Sequence, residues 1–433
     1  MMGLLQKGID WVDARLPVTD AYKKHMSEYY APKNFNFWYY FGVLSLVVLV
    51  NQLLTGIWLT MFYSPSDAFA SVEYIMRDVQ MGWLIRYMHA VGASAFFAVV
   101  YIHMFRGLMY GSFKPPRELV WIFGMLIYLA LMAEGFLGYV LPWGNMSYWG
   151  AQVIISLAEA IPFQVLPFVD ANEAAQMGQA LTTWVRGDYL LSEATVNKFF
   201  ALHVVAIPLV LVALVVLHLL ALHEVGSNNP DGVDIKKHKD ENGIPLDGIP
   251  FHPYYTVKDL VGVVVFLMVF CTVLFFFPDG GGYFLEAPNF EPANALKTPD
   301  HIAPVWYYGP YYAMLRATTI SFLFDAKTWG MIVMGGAIAI LFVLPWLDRH
   351  PVRSIRYKGL WSRINLGIFV VAFLGLGFLG TQPADNDFLG LSFTAWAQIG
   401  TVYYFFYFLA VLPFAHRFEK SKPVPERVTG GRH

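Results

Sequence analysis

Seven stretches of this chain contain no Asp, Glu, Lys or Arg: residues 34–66, 87–105, 199–223, 260–278, 328–347, 364–384 and 388–416. An eighth, residues 119–142, is interrupted only by Glu134. A bilayer core takes about 20 apolar residues per helix. Inside it the backbone must satisfy its own hydrogen bonds, so each run reads as a membrane-crossing helix. In chain order they are spans A to H, with C the one that holds Glu134. Apolar periodicity cannot decide between helix and strand in a buried run, but length does. The predicted fold is an all-α integral membrane protein with eight transmembrane helices. Composition agrees, because 57% of the 433 residues are hydrophobic and 14% charged, too few charges to cover a water-soluble surface. A net charge of −2 gives no basic excess for nucleic acid, and the single cysteine, Cys271, excludes a disulfide framework and a Cys-ligated zinc or iron–sulfur site.

An even number of spans puts both termini on one side, and 22 of the 29 Lys and Arg fall on that side. They include Lys7, Arg15, Lys236, Lys258, Arg349 and Arg363, and the tail residues Arg417, Lys420, Lys422, Arg427 and Arg432. The positive-inside rule then places the termini in the cytoplasm or its equivalent; this side is called inner below. Two long outer segments, 144–197 and 279–319, hold Pro-bounded stretches such as 148–161 that predict surface helices in the C–D and E–F loops. The predicted organisation is an amphipathic interfacial segment 1–33, an A–D bundle 34–224, a D–E loop 225–256, a C-terminal unit E–H over 257–416, and a cytoplasmic tail 417–433. The first segment is mixed in charge and lacks the apolar core of a signal peptide.

Histidine is costly in lipid and usually faces a bundle interior or a cofactor. Span B carries His89 and His103, and span D carries His203 and His218. At 100° per residue, separations of 14 and 15 depart from four full turns by about 40° short and 60° over, so each pair shares one helix face, about 21–22 Å apart along the axis. B and D run in the same direction. His89 is therefore level with His203 near the outer side, and His103 level with His218 near the inner side. A lone intramembrane histidine is more often a hydrogen-bonded structural residue, but two level pairs are what two bis-imidazole haems need. In spans A and C, Gly42 and Gly56, then Gly124 and Gly138, repeat the His89–His103 interval. Glycine lets a flat macrocycle approach the backbone, although small-residue helix packing looks the same for any one pair. Arg86 and Arg106 stand three residues from His89 and His103 and could pair with haem propionates or anchor the interface.

At this point the residues resemble cytochrome b of the cytochrome bc complex. Beside the histidines, the chain carries Gly138-Tyr139-Val140-Leu141-Pro142-Trp143-Gly144 and Met146-Ser147-Tyr148-Trp149-Gly150-Ala151 after span C. It has His223-Glu224-Val225-Gly226-Ser227-Asn228-Asn229-Pro230 after D, Pro250-Phe251-His252-Pro253-Tyr254-Tyr255 and Lys258-Asp259 before E, and Pro304-Val305-Trp306-Tyr307 before F. The resemblance runs from A to H and is to the respiratory form. It implies a di-haem four-helix bundle (A–D) with two non-covalent haem b groups, one on His89 and His203 and the other on His103 and His218. It implies quinol oxidation at an outer site of Tyr139, Gly150, Pro304, Trp306, Tyr307 and Tyr312, and quinone reduction at an inner site of His223, Ser227, Lys258 and Asp259. The electrons of quinol would divide between the haems and a Rieske iron–sulfur protein, which passes its share to a cytochrome c-type subunit, with protons translocated. A homodimer in a bacterial inner membrane is implied, with a mitochondrial inner membrane as the second choice.

Two residues depart from that pattern. The D histidines are 15 apart rather than 14, which a π-bulge or a kink at Pro208 would absorb. Val305 occupies the place where respiratory relatives usually carry a glutamate that takes a quinol proton. Glu134, about one turn before Gly138 and Tyr139, is the expected replacement, with Glu159 and Asp300 as lesser candidates. Its alternative reading is a polar partner for a neighbouring helix. Two other functions fit parts of the sequence: a di-haem b-type anchor of a dehydrogenase, and a proton-coupled transporter using His and Glu as a relay.

Overall fold

A computed structural model of the chain describes residues 2–430; Arg432, counted above with the tail, lies outside the described residues. Among those residues, seven helices are long and apolar enough to cross a membrane. They are A (Phe37–Thr60), B (Gly82–Tyr110), C (Glu118–Val140), D (Glu193–Val225), E (Phe251–Phe276), G (Leu360–Thr381) and H (Phe393–Arg417). The eighth, F, is shorter as a continuous helix (Ala326–Phe342). It breaks at Val343 (φ −90°, ψ 2°) and resumes as a turn over Leu344–Leu347. The cause is Pro345, whose ring would meet the carbonyl of Leu341 and which has no N–H to offer it. The two pieces together cover the predicted span.

Helix A packs along B and D along C, making the four-helix unit, while E lies on A. G packs on H, and the short helix Gly309–Ala317 wedges between them and F. One apolar core runs through both halves: Phe97 and Tyr128 from B and C, Tyr307 and Met314 from the E–F segment, and Tyr404 and Phe408 from H. Two short antiparallel ladders, Tyr30–Pro32 with Gly248–Pro250 and Asp387–Phe388 with Leu391–Ser392, qualify the all-α expectation without altering the architecture. The C–D segment holds two surface helices, Asn145–Ser156 and Ala171–Arg186. The second opens with Asp170 capping the N–H of Glu173 while the Glu173 side chain returns to the N–H of Asp170. The N-terminal segment begins with an exposed helix, Met2–Asp13.

Helix D is not uniform. Ile207 N–H bonds to Leu202 O, five residues back, so the turn Leu202–Ala206 is a π turn. It lies immediately before Pro208 and contains His203. A π turn adds one residue without advancing the helix face. The 15-residue interval therefore acts as a 14-residue one, and His203 and His218 keep a common face.

Both ends of the described chain meet on the D–E loop. Asp247, nearly fully buried, takes Lys33 at 3.1 Å and Arg427 at 2.6 and 3.0 Å. Asp231, equally buried, takes Asn34 Nδ2 at 2.9 Å and the Thr429 N–H at 2.7 Å. Residues 33–34 and 427–429 therefore lie together at one end of the bundle. Asp247→Asn leaves Lys33 and Arg427 without their carboxylate, and since both cations are partly exposed the cost falls below the roughly 3–5 kcal/mol of a fully buried pair. We expect limited proteolysis after residue 417 to accelerate while the helical circular dichroism stays unchanged.

Candidate cofactor and quinone sites

Four of the five histidines of helices B and D form two pairs; the fifth, His223, stands at the inner end of D. His89 and His203 rings lie 6.1 Å apart between centres, and His103 and His218 lie 6.4 Å apart. Two metal–imidazole bonds of about 2 Å each, plus the ring radius on either side, sum to about 6 Å. Each pair is thus spaced for one metal between two imidazoles. Among the described residues no three His, Cys, Asp or Glu converge on a common point. The metal that fits here takes two protein ligands and the rest of its shell from a macrocycle, which describes haem.

The glycines account for the clearance. A Cβ on Gly56 would stand 3.2 Å from His89 Cε1, and one on Gly42 3.3 Å from His103 Cε1. On Gly124 it would stand 3.4 Å from His218 Cε1, and on Gly138 only 2.4 Å from His203 Cε1. Each of these four glycines faces one imidazole of B or D, so their first office is to admit the ring. All four also line the cavities: Gly56 and Gly138 one with His89, His203 and Arg86, Gly42 and Gly124 another with His103, His218 and Arg106. Arg106 Nε is buried without a hydrogen-bond partner, as a propionate-binding guanidinium would be before its anion arrives.

The outer cavity is walled by Tyr139, Val305 and Tyr307 as well as Glu134. Tyr307 stacks on Phe97, 3.8 Å between ring centres and 5° from parallel, which fixes the loop to helix B. Gly150 sits behind the Tyr139 ring. Trp306 turns away, donating from Nε1 to Ser94 Oγ at 3.1 Å and lining a separate apolar cavity. Tyr312 reaches the carbonyl of Ile302 at 3.4 Å, and Pro304 and Tyr312 stand outside the cavity wall. Glu134 Oε1 lies 3.0 Å from His203 Nδ1, so its carboxylate meets an imidazole rather than Tyr139. Tyr139 instead donates its hydroxyl to Glu286 Oε2 at 3.1 Å. Glu286, in the E–F loop, is buried enough that its carboxyl is pushed up to about 7, despite the Tyr139 hydrogen bond acting the other way. Glu159 and Asp300 are exposed and away from this wall. Glu286 was not among the residues singled out from the sequence. No periodicity locates a residue in an irregular loop, and only the missing carboxylate at Val305 directs attention to the acids around it.

The inner cavity brings His223, Ser227, Lys258 and Asp259 together with His103 and His218. It also recruits two residues of the N-terminal segment. His25 stacks on His223 with their Nδ1 atoms 2.9 Å apart, and Tyr29 OH lies 3.0 Å from Ser227 Oγ. Lys258 donates to Phe35 O at 3.1 Å. A surface reading of residues 1–33 gives neither residue a place here, yet Tyr29 lines the cavity and His25 stands against His223 at its edge.

A multi-pass helical membrane protein with two stacked bis-histidine pairs is a cytochrome-type electron carrier in its construction. Comparison with known proteins makes the class specific. Residues 26–226 match the family described as cytochrome b/b6/petB, and residues 292–405 match its C-terminal counterpart, cytochrome b(C-terminal)/b6/petD. Cytochrome b of Allochromatium vinosum is 56% identical over 429 residues, covering 98% of both chains. That of Rhodospirillum rubrum is 46% identical, covering 98% of this chain and 96% of its own. A solved structure described as a hyperthermophilic respiratory Complex III superposes with a TM-score of 0.83 and 37% identity, over 95% of this chain and 99% of the other. The chain belongs to the cytochrome b family, and membership implies haem b.

The glycine distances rank themselves. Gly138→Ala should remove the haem next to His203, because the added methyl occupies the ring's place, whereas Gly124→Ala should keep a full haem complement. The haem-to-protein ratio of the purified variants measures both.

Proposed function

We propose that this chain is the cytochrome b subunit of a quinol:cytochrome c oxidoreductase of the Complex III type, in a bacterial inner membrane with its termini on the cytoplasmic side. The observation that carries it is the placement of both histidine pairs in cavities that each extend to a set of proton-exchanging side chains at one end of the bundle. When bound, the haems on His89/His203 and His103/His218 supply a one-electron path between those ends. A Rieske iron–sulfur protein takes the other electron of each quinol and hands it to a cytochrome c-type subunit, and the assembly is a homodimer.

At the outer site, oxidising a quinol to a quinone releases two electrons and two protons. Glu286, half-buried behind Tyr139 and with its carboxyl pushed up to about 7, is the base for one of these protons, and Tyr139, which lines the cavity, orients it by a hydrogen bond. This gives Glu286 the task that the sequence assigned to Glu134. Val305 contributes an apolar wall. Tyr307, held flat on Phe97, keeps the wall rigid.

At the inner site, a quinone gaining two electrons needs two protons. His223 and Asp259 are placed to give them, and His25, in contact with His223, extends the relay toward water. Lys258 is held against Phe35 O, and Ser227 against Tyr29, so both are oriented before substrate arrives.

The base form of Glu286 fills as pH rises through its carboxyl's value, so quinol oxidation should climb between about pH 6 and 8 and then level off. Glu286→Gln should slow quinol oxidation by roughly 10²-fold and flatten that rise. Unchanged turnover with an unchanged pH profile in steady-state cytochrome c reduction would remove Glu286 from the mechanism.

A further inference from the structure

The four ligand imidazoles differ in what holds their second nitrogen. His89 Nδ1 faces Thr55 Oγ1 at 2.9 Å, and His218 Nδ1 faces the Val120 carbonyl at 2.9 Å. His103 Nδ1 has Arg106 Nη2 at 3.2 Å. His203 alone meets a carboxylate: Glu134 Oε1 at 3.0 Å, with the carbonyl of the same residue at 3.1 Å. Glu134 is the one charged residue inside span C, its side chain is 16% exposed, and its second oxygen, Oε2, is buried without a hydrogen-bond partner. A carboxylate in an apolar span needs a partner to offset its desolvation, and the partner here is the ring of a haem ligand.

An imidazole that binds iron through Nε2 carries its proton on Nδ1 and donates it to an acceptor that stands there; Thr55 Oγ1, the Val120 carbonyl and Glu134 can accept it, the Arg106 guanidinium beside His103 cannot. A carboxylate acceptor draws that proton more strongly than a hydroxyl or a backbone carbonyl does. The ring then gains imidazolate character and donates more charge to the metal, which favours the oxidised over the reduced iron. The same bond fixes the tautomer and the ring plane of an imidazole carried on a π turn.

We propose that Glu134 is a positioning residue that, through His203 Nδ1–H, lowers the reduction potential of the outer haem relative to the inner one. With both haems bound, this difference would favour electron passage from the His89/His203 pair toward the His103/His218 pair, whose Nδ1 atoms lack a carboxylate acceptor. The proposal rests on the reading that His203 carries the outer haem.

The test is a reductive titration of the purified complex, followed optically, in wild type and in Glu134→Gln, Glu134→Ala and Glu134→Asp. Loss of the carboxylate in Glu134→Ala should shift the electron-sharing equilibrium between the haems about tenfold toward the outer one, an upward shift of about 59 mV for that component alone. Glu134→Gln, which keeps the shape and a neutral acceptor, should fall between, and Glu134→Asp should recover part of the wild-type separation. Both haems bound at unchanged potentials in Glu134→Gln and Glu134→Ala would overturn the proposal while leaving the ligand assignment intact. Retention of the outer component in His203→Leu would overturn the assignment itself, and the role of Glu134 with it.

Discussion

Two imidazoles held about 6 Å apart, twice over, are the constraint around which the rest of this bundle is arranged. Protein interiors close-pack, and a gap of that width closes unless something holds it open. Here helices B and D present the rings, and glycines of A and C remove the side chains that would otherwise fill their places. The asymmetry is informative. The tightest glycine, Gly138, faces His203, the ring that sits on the π turn and beside Glu134. Three local irregularities of helices C and D, a glycine, a carboxylate and a widened turn, converge on one imidazole.

The second organising fact is where the polar groups lie. Between the ends of the bundle, the four paired imidazoles each have an acceptor or donor close to Nδ1, and the apolar core fills the remaining space. Proton-exchanging groups gather at the two ends: Tyr139 with Glu286 at one, and His25, His223, Lys258 and Asp259 at the other. Electrons can cross a low-dielectric interior between closely spaced cofactors, whereas protons need polar groups and water. Separating the two by position is what the proposed coupling of electron passage to proton exchange at the two ends requires.

Much of this was legible in the sequence because it rests on periodicity and exclusion. Runs without charge marked the spans, the helical repeat marked the level histidine pairs, and the 15-residue interval beside Pro208 called for a π-bulge or a kink, of which the π turn is present. Helix F shows the limit: composition marked residues 328–347 as one span, and Pro345 divides it. The site residues that escaped notice lie where no repeat operates. Glu286 sits in an irregular loop, and its position against Tyr139 depends on how that loop returns over helix C. His25 and Tyr29 belong to a segment whose amphipathic pattern describes a surface, and nothing local indicates that it folds back over the inner cavity. Glu134 was conspicuous for its charge, but its contact with His203 depends on the rotation of helix D, which the sequence does not fix.

The most direct measurement is a reduced-minus-oxidised optical spectrum of the purified protein, with stoichiometry from a pyridine haemochrome determination. Two b-type haems per chain, titrating as two separate one-electron components, are the expected result. A single haem per chain, or two that titrate as one indistinguishable component in wild type, would contradict the stacked bis-histidine arrangement with unequal ends.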